Sequence, residues 1–570
     1  MFATSLRQWS LGLSSGALDS HLELYYGAAE VQVWRQRYQD ALELFGQRYG
    51  EAGDIVVARC PGQMNIMGVH IDYGGMPSIR LAVRGRDTLT VARGTADGSV
   101  RLSNVLRYPG EPAESFAPVA FDLAQIVPTE NVGTREAIMS YAGRVCAERQ
   151  ARTGRAQVDD WGVLVQGQLV FLESLLRGRV GCRGFDGLVW SNVSPSGGMS
   201  SSSALVIATA CAALGVVGLN PRTDVSLADL VDGVGTSEWI RGTRGGTADH
   251  GGMVMGRAGK VVSVGVFPAA SQGEARVPAD YVAFVLDSGV PRVYDDAMKE
   301  ETVIAYPLGT FLLRDVVLPQ LRHDPEFAGL PADLGNRIRF IRDLTEANLG
   351  LGLPALYRLL AAVPRCTSLA RLRQQAREAG AEAAFDAMHA REVAGKFPHI
   401  TDDYPIWLRR RFVFGLAEQD RVRYLLEYLN AGQVDRALEL MRVSHDGDLD
   451  QEVPDEILAE AERRARRGDE RARLCFLPGG YGRMTVAYDR VVRVINEFLL
   501  TDGGPTAGSV QRFGAGWGGN VGGLVRREYA IGDRRGSLAR LLADDLGLHV
   551  DPATCIAVPG EGACLVPPPA

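Results

Sequence analysis

Hydrophobic and polar residues recur with two different periods along this chain, and the two periods predict a mixture of helices and strands. Within residues 1–50, six large side chains lie at helical spacing and would share one buried face: Tyr25, Val31, Trp34, Tyr38, Leu42 and Phe45. Short apolar runs bounded by polar or glycine-rich stretches predict strands at 55–59, 81–91, 187–193 and 282–287. The helical period predicts further helices at 137–150, 168–176, 205–219, 227–240, 371–391, 409–430 and 434–445, and the charged run 460–473 predicts a solvated one.

The most informative stretch lies between a predicted buried strand and a predicted apolar helix, at 194–204 (SPSGGMSSSSA). Paired glycines let the backbone come close to a ligand. The first N–H groups of a helix point outward with the positive end of its dipole, which suits phosphate oxygens. The pattern therefore favours a phosphate-binding loop whose serine hydroxyls can also reach a magnesium ion. A flexible Gly/Ser linker and an ordinary serine N-cap are the alternatives.

Two other glycine-rich segments carry candidate polar groups. Residues 60–75 contain His70 and Asp72 beside a Gly-Gly pair, a combination suited to a polyhydroxylated ligand, although satisfied structural groups would also explain both residues. Asp249 is flanked by four glycines and lies eleven residues after Glu238. An Asx turn would explain this aspartate. The alternative is a base or a metal-binding carboxylate in a crowded site.

Composition narrows the class of protein. A chain of 570 residues with 46% hydrophobic and 23% charged residues is globular and long enough for two or more domains. The net charge of −7 and the absence of a long basic run argue against a nucleic-acid partner. Eight cysteines without a CxxC pair indicate reduced thiols. The longest apolar stretch, 205–219, is too short to span a membrane, and the N-terminus has no signal pattern. We expect a cytoplasmic protein without a membrane partner.

A further glycine-rich stretch, 512–525, enters an apolar strand and is weak evidence by itself. Taken in order, however, the stretches at 60–75, 194–204 and 512–525 resemble the GHMP kinases (the galactokinase, homoserine kinase, mevalonate kinase and phosphomevalonate kinase superfamily). Residues 61–73 (PGQMNIMGVHIDY) resemble the galactokinase signature Pro-Gly-Arg-Val-Asn-Leu-Ile-Gly-Glu-His-Thr-Asp-Tyr. Residues 198–202 match the phosphate loop Gly-Leu-Ser-Ser-Ser, and 514–519 match Gly-Ala-Gly-Phe-Gly-Gly. The likeness extends over most of the chain.

The resemblance implies a fold and a domain organisation. We expect an α+β, two-domain GHMP-kinase-like fold with the active site in the interdomain cleft. Its parts would be an N-terminal helical extension at 1–50, an ATP-binding N-terminal domain at 51–285 with an insertion near 100–185, and a C-terminal domain at 286–570 with insertions near 300–400 and 485–510.

The resemblance also implies roles for individual residues. Ser202 and Glu238 would hold Mg²⁺, whose charge bridges the β- and γ-phosphates of ATP. Asp249 would accept or orient the proton of the attacking sugar hydroxyl. His70, Asp72 and Gly246 match positions that contact the sugar in galactokinases. The ATP-binding positions are Gly197, Gly198, Met199, Ser200, Ser201, Ser202, Gly516 and Gly518.

One departure from the signature affects the catalytic residues. The galactokinase arginine of Pro-Gly-Arg is Gln63 here, and a neutral amide cannot replace a guanidinium. Arg59, Arg241 and Arg244 are the nearby candidates to replace it. We therefore include Arg59 with Asp249 and Gln63 in the predicted catalytic group, while a slow or inactive relative is the alternative.

A second departure affects the sugar. Val69 replaces the glutamate that receives sugar hydroxyls in galactokinases, which removes an acceptor and a negative charge. Galacturonate kinases resemble this pattern, and a loose alignment places Lys299 where galactokinases have a sugar-contacting tyrosine. Val69 therefore favours a sugar with a C6 carboxylate or one without a C6 hydroxyl, and Lys299 favours the acid further.

The leading hypothesis is an ATP- and Mg²⁺-dependent sugar 1-kinase that acts on the anomeric hydroxyl of galactose, galacturonate, L-arabinose or a relative, as a monomer or homodimer. A non-sugar acceptor such as mevalonate or homoserine is a second possibility, against which the polar segment around His70 argues. The alternative from another class is a sensor that binds sugar and ATP without turnover, and Gln63 is the observation that supports it.

Overall fold

The computed structural model describes residues 2–108, 113–194, 198–242, 244–293, 296–394, 397, 399–449, 451–482, 484–514 and 518–569. The described residues fall into two compact units. The first comprises Met1–Asn65, Ile79–Val277 and Ala557–Ala570, and the second comprises Ile66–Ser78 and Pro278–Ile556. This division differs from the predicted one, because the N-terminal helices belong to the first unit, the C-terminal tail returns to it, and part of the 60–75 segment lies in the second.

The strands are β1 (Thr4–Ser5), β2 (Asp54–Met67), β3 (Ser78–Gly94), β4 (Ser99–Leu106), β5 (Val119–Asp122), β6 (Phe185–Ser191), β7 (Lys260–Gly265), β8 (Ala270–Arg276), β9 (Tyr281–Asp287), β10 (Gly508–Arg512), β11 (Asn520–Arg526), β12 (Ile556–Ala557) and β13 (Cys564–Leu565). The α-helices are α1 (Leu6–Ser15), α2 (Asp19–Tyr26), α3 (Val31–Tyr49), α4 (Leu123–Ile126), α5 (Arg135–Thr153), α6 (Gly162–Leu176), α7 (Ser201–Val216), α8 (Val234–Ser237), α9 (Ala248–Met255), α10 (Asp296–Phe311), α11 (Leu318–Leu321), α12 (Leu334–Arg337), α13 (Glu346–Leu349), α14 (Leu353–Ala362), α15 (Leu369–Glu378), α16 (Glu382–Glu392), α17 (Leu408–Asn430), α18 (Val434–Gly447), α19 (Asp455–Arg466), α20 (Val486–Gly503), α21 (Arg527–Ile531) and α22 (Arg535–Leu546).

Short 3-10 turns occur at Ala28–Glu30, Asp72–Gly74, Glu238–Arg241, Pro325–Phe327, Ile341–Asp343, Glu470–Ala472, Leu474–Phe476, Gly504–Thr506 and Pro552–Cys555. Two segments are π-helical, Asp229–Gly233 and Leu312–Val317.

The first unit is built on a mixed sheet with the order β1-β2-β3-β6-β4-β5. In addition, β7 pairs with β3 and with β8, and β13 pairs with β2. Strands β3 and β6 are antiparallel, with Leu89 opposite Trp190, whereas β4 and β6 are parallel. Period-two alternation along β2 sends neighbouring residues to opposite faces: Ile55 and Val57 belong to one core cluster, and Val56 and Ala58 to another.

The N-terminal helices cover one face of this sheet. Trp34 of α3 is fully buried, stacks on Tyr26 with ring centroids 3.7 Å apart, and meets Trp190 of β6 edge to face at 5.9 Å. Helices α6, α7 and α9 contribute to the core cluster on the opposite face. The helical face predicted for residues 1–50 is therefore confirmed, but it is part of the core of the first unit rather than an extension.

The second unit contains a four-stranded sheet with the order β10-β11-β9-β12. Strand β11 pairs antiparallel with both β10 and β9. Helix α20 supplies Val492, Ile495 and Leu499 to the core beside this sheet. Helices α15 to α18 account for the helical character predicted between 371 and 445.

Most predicted elements are present with small shifts of their ends, and three differ. The predicted helix 227–240 divides into a π-helical, an α-helical and a 3-10 segment, and 371–391 is two helices that meet near Gly380. The predicted helix 460–473 ends at Arg466. In each of the three segments the sequence keeps the helical period of polar and apolar residues, but the backbone does not remain one continuous α-helix.

One helical run, Lys299–Leu321, is long and apolar enough to cross a membrane by length and composition. It exceeds the 205–219 stretch that the sequence singles out as the longest. Two thirds of its most apolar window, 67%, is buried inside the protein, as expected of a core helix, and a single such helix is weak evidence for a membrane span.

Candidate active site

The Gly/Ser loop of the first unit connects β6 to α7. Gly198 and Ser200 both have left-handed backbone conformations, with φ of 71° and 57°. Glycine adopts this conformation without strain, whereas serine does so uncommonly. Ser201 and Ser202 are the half-buried first residues of α7. The predicted strand–loop–helix arrangement is confirmed, while the predicted ATP-binding residue Gly197 lies outside the described residues.

Asp249 lies in the first turn of α9, and a second aspartate fixes where that helix begins. The carboxylate of Asp232 accepts hydrogen bonds from the Thr247 hydroxyl at 2.8 Å and from the Ala269 N–H at 2.6 Å. Burial raises the pKa of Asp232 above its ordinary value, although these hydrogen bonds oppose the rise. The residue before α9 is thereby tied to the interior of the unit.

Glycines in and after α9 let that helix approach the sheet. A Cβ added at Gly251 would lie 2.3 Å from Cγ1 of Val264, and one at Gly256 would lie 2.4 Å from Cβ of Ala82 on β3. A Cβ at Gly252 would lie 3.0 Å from the Cβ of Arg80. The two glycines that directly follow the Asp249-His250 pair, Gly251 and Gly252, therefore have a packing reason.

The carboxylate of Asp249 is the centre of a hydrogen-bonded cluster. Its Oδ2 accepts from the Ser200 hydroxyl at 2.5 Å. Its Oδ1 accepts from the Gln63 amide at 3.2 Å and from the guanidinium of Arg80. Gln63 also donates to Ser200 Oγ at 3.1 Å and accepts from Arg80 at 3.0 Å, and its backbone N–H donates to the Met199 carbonyl at 3.2 Å. The structure thus brings together the Gly/Ser loop, Gln63 and Asp249.

Arg80 is the member of this cluster that sequence reasoning missed. The predicted substitute, Arg59, is fully buried and donates to Asp87 at 2.8 Å and to the carbonyls of Glu561 and Gly562. Among the described residues, none of these hydrogen bonds reaches Asp249, so the prediction that Arg59 serves Asp249 is corrected. No sequence motif contains Arg80, which joins the cluster because β2, which carries Gln63, and β3, which carries Arg80, are neighbours in the sheet.

Glu238 and His250 form a second polar pair in the first unit. The Nε2 atom of His250 lies 2.9 Å from Oε1 of Glu238. Burial alone would lower the pKa of His250, but the negative charges of Glu238 and Asp249 outweigh it and hold that pKa above its ordinary value. Over the part of the chain that the structure describes, no three His, Cys, Asp or Glu residues are grouped as a ready-made metal site.

The second unit holds the segment with the predicted sugar contacts. The buried carboxylate of Glu418 accepts from the Gly68 N–H at 2.9 Å. His70 has a left-handed backbone, and its carbonyl accepts a hydrogen bond from the Tyr306 hydroxyl at 3.2 Å. The His70 ring stacks on Tyr481 with centroids 4.2 Å apart. These contacts fix the segment within the unit.

Four more predicted sugar residues can be located in their own units. In the second unit Val69 and Asp72 are 5% and 6% exposed, and the Lys299 ammonium lies 5.8 Å from the centre of the Tyr73 ring. Lys299 therefore lies near Tyr73 of the segment that contains His70, while its contact with a sugar stays a prediction. Gly246, in the first unit, is half-buried and precedes Asp249 by three residues.

The last glycine-rich stretch enters β11 of the second unit. Gly518 has a φ of 123°, and a Cβ there would lie 2.3 Å from the carbonyl oxygen of Pro291. Backbone geometry and the close carbonyl therefore require glycine at position 518, independently of any role in binding ATP. Gly516, also predicted to bind ATP, lies outside the described residues.

Comparisons with known proteins agree with this geometry. Residues 43–93 match the galactokinase galactose-binding signature, and residues 166–257 match the GHMP kinases N-terminal domain. The crystal structure of Lactococcus lactis galactokinase complexed with galactose superposes with a TM-score of 0.55 at 16% identity, over 92% of this chain and 99% of that one. The chain is galactokinase-like in sequence and in fold.

Curated relatives extend the likeness over part of the chain. The galactokinase of Candida parapsilosis is 23% identical over 262 residues, which are 46% of this chain and 45% of that protein. The galactokinase of Candida albicans is 22% identical over 47% of this chain and 46% of that protein. The chain thus matches under half the length of these relatives. The two segments that match family models, 43–93 and 166–257, contain Gln63, Arg80, His70, Ser200 and Asp249.

Proposed function

We propose that the protein is an ATP- and Mg²⁺-dependent sugar 1-kinase, which transfers the γ-phosphoryl group of ATP to the anomeric hydroxyl of galactose or a related sugar. The observation that carries this proposal is the contact between Ser200 of the Gly/Ser loop and the carboxylate of Asp249. A loop suited to phosphate oxygens and a carboxylate suited to accepting a proton lie within one hydrogen bond of each other.

The donor set of the first unit suits Mg²⁺, which prefers hard oxygen ligands and keeps several waters. Ser202 would offer a hydroxyl and Glu238 a carboxylate oxygen. His250 contacts Oε1 of Glu238, and among the described residues Oε2 has no hydrogen bond. When bound, the ion would neutralise charge on the β- and γ-phosphates. The first N–H groups of α7 and the hydroxyls of Ser201 and Ser202 would hold the phosphate oxygens.

In the proposed step, the anomeric hydroxyl oxygen forms a bond to the γ-phosphorus and the bond from that phosphorus to the bridging oxygen of ADP breaks. The hydroxyl proton passes to Asp249. Because Oδ1 is already held by Arg80 and Gln63, the oxygen that receives the proton would be Oδ2, with Ser200 turning its hydroxyl away. Positioning and charge stabilisation supply most of the rate in such transfers.

The sugar would be contacted by His70 and Asp72, with Val69 and Lys299 deciding its class. Val69 offers no acceptor to a C6 hydroxyl and no charge against a C6 carboxylate, and a lysine side chain near Tyr73 of the same segment attracts an acid. We therefore infer that a uronic acid related to galactose is used better than galactose itself.

The test is phosphoryl transfer from γ-labelled ATP to galactose, galacturonate, L-arabinose and N-acetylgalactosamine, with Asp249→Asn as the control. We expect labelled sugar phosphate with wild-type protein and a loss of about 100-fold or more in kcat with the variant. Transfer to none of these sugars, while calorimetry detects sugar and ATP binding, would instead support the non-catalytic sensor.

A further inference from the structure

We propose that Arg80 is a positioning residue for Asp249, supplied by β3 in place of the arginine that the Pro61-Gly62-Gln63 segment of β2 lacks. This inference rests on the proposed kinase function. It assigns a specific role to a residue outside the three glycine-rich stretches, and it explains how the site can work with glutamine at position 63.

Arg80 is placed behind the carboxylate, on the protein side. Its side chain is 6% exposed, whereas that of Asp249 is 35% exposed. The cation is therefore buried and held in one place, while the carboxylate beside it remains accessible to a substrate. The aliphatic part of Arg80 lies against α9, where the missing side chain of Gly252 leaves room for it. Helix α9 and strand β3 thus bring the carboxylate and its cation together.

Gln63 completes this arrangement as a neutral bridge. Its Oε1 accepts from Arg80 at 3.0 Å, and its Nε2 donates to Asp249 at 3.2 Å and to Ser200 at 3.1 Å. The amide oxygen thus accepts a hydrogen bond and the amide nitrogen donates. An arginine at position 63 could not accept the hydrogen bond from Arg80, because a guanidinium only donates. A second guanidinium here would also place two cations beside one carboxylate.

The other candidate cations have partners of their own. Arg59 forms a buried pair with Asp87 at 2.8 Å. Arg241 donates to the carbonyl of Val158 at 3.0 Å and lies 3.5 Å from Asp159. Arg80 is the arginine that the described residues place on the Asp249 carboxylate.

A cation at this position has a physical purpose in phosphoryl transfer. A carboxylate close to a triphosphate is repelled by it, and a buried guanidinium bound to one of its oxygens offsets that repulsion and restrains its rotation. Removing the cation should therefore leave substrate binding largely intact but impair the reacting geometry.

The experiment compares steady-state kinetics of wild-type protein with Arg80→Met, Arg80→Lys, Gln63→Arg and the exchange variant Arg80→Gln/Gln63→Arg. We expect Arg80→Met to lower kcat by about 100-fold with KM for sugar and ATP changed less than about threefold. Arg80→Lys should lower kcat by less than Arg80→Met does, because the ammonium group keeps the positive charge but lacks the planar fork of the guanidinium. Gln63→Arg alone should give no gain, and the exchange variant should recover at least about tenfold over Arg80→Met.

The matched control is Arg93→Met. Arg93 is on the same strand and also pairs with an aspartate, Asp186, at 3.0 Å, but it lies outside the cluster. We expect its substitution to lower the melting temperature and leave kcat unchanged. Unchanged kcat in Arg80→Met, or equal losses of kcat in Arg80→Met and Arg93→Met, would overturn the proposal.

A double-mutant cycle keeps the test independent of turnover. If wild-type protein phosphorylates no sugar, the proposed function fails, and the melting temperatures of Arg80→Met, Asp249→Asn and the double variant still decide the present inference. Non-additive shifts are expected, because the two side chains are bound to each other. Additive shifts would contradict the coupling of Arg80 to Asp249.

Discussion

At the scale of single residues, the two oxygens of Asp249 have different surroundings. Oδ1 is held by a buried guanidinium and an amide that are themselves bound to each other, whereas Oδ2 is held by a serine hydroxyl. A hydroxyl rotates about its bond to Cβ and can release its acceptor, but a guanidinium fixed by packing cannot. The site therefore has one oxygen that anchors the carboxylate and one that is available for chemistry.

Sugar preference is a prediction at this same scale. Val69→Glu restores an acceptor and a negative charge at the position before His70. We expect the ratio of kcat/KM for galacturonate to that for galactose to fall by about tenfold or more, because like charges repel and a C6 hydroxyl gains a partner. The measurement is kcat/KM for both sugars with each variant.

The control for this prediction is Val69→Gln, which has the size of glutamate without its charge. If the charge decides, the glutamine variant should fall between wild type and Val69→Glu in its rejection of galacturonate. An unchanged ratio in both variants would mean that Val69 does not contact the sugar.

Sequence alone predicted part of the cluster. The match of 198–202 to the phosphate loop, and the role that the resemblance implies for Asp249, indicated that Ser200 and Asp249 belong to one site, and their hydrogen bond agrees with this. Arg80 was not predictable in the same way, because no motif contains it and its role depends on the pairing of β2 with β3. Arg59 was the wrong candidate because sequence proximity to Gln63 says nothing about its buried partner, Asp87.

At the scale of elements, the approach of α9 to the sheet places Asp249. Gly251→Ala should lower the free energy of unfolding of the first unit by about 1–3 kcal/mol, because the added methyl group would lie 2.3 Å from Val264. Urea unfolding checks this. Gly245→Ala is the control: no heavy atom lies within 4 Å of the Cβ it would add, so little change is expected. Equal effects of the two substitutions would contradict the packing account.

Helices α18 and α20 of the second unit are joined by a hydrogen bond from His445 to Asp489. The hydrogen bonds from His445, at 2.9 Å, and from Arg493, at 2.9 Å, hold the pKa of Asp489 below its ordinary value. The pKa of Asp489 is lower in the folded chain than in the unfolded chain. These hydrogen bonds therefore stabilise the fold fully above the unfolded pKa of about 3.9, and their contribution is lost as the pH falls through the folded pKa.

Asp489→Asn should therefore lower the free energy of unfolding by about 1 kcal/mol at pH 7, and the difference from wild type should shrink below about pH 4. Urea unfolding at a series of pH values measures this. Asp435→Asn, at an exposed position in the first turn of α18, serves as the control and should show only a small difference. A difference between wild type and Asp489→Asn that is the same at every pH would contradict the pKa argument.

The elements themselves were largely predictable, because their apolar periods are regular. Strands β3, β6 and β9 and helices α5, α7, α17 and α18 agree with the predicted ranges to within a few residues. The helical region around Glu238 was less predictable. Its residues keep a helical period, but the backbone changes from π to α to 3-10 geometry, which the apolar pattern does not encode.

At the scale of the whole chain, the N-terminal helices are part of a folded core. Trp34→Ala should lower the free energy of unfolding of the first unit by about 3–5 kcal/mol, because Trp34 is fully buried between Tyr26 and Trp190. Leu24→Ala, at a position 54% exposed, should change it by less than about 0.5 kcal/mol. If Trp34→Ala were as mild as Leu24→Ala, residues 1–50 would be the separable extension that the sequence suggested.

Chain-level organisation was harder to predict than local structure. The return of β13 to pair with β2 and the assignment of Ile66–Ser78 to the second unit depend on contacts between residues hundreds of positions apart. Local periodicity carries no information about such contacts. The predicted boundary near 285 lies close to the division before Pro278.

The most direct test of the central claim is to identify the hydroxyl that receives the phosphate. Wild-type protein would be incubated with ATP, Mg²⁺ and the best sugar of the panel, and the product examined by ³¹P and ¹H NMR. We predict a phosphomonoester whose phosphorus couples to the anomeric proton, and its absence with Asp249→Asn. Phosphate on any other hydroxyl, or an equal yield with Asp249→Asn, would contradict the account.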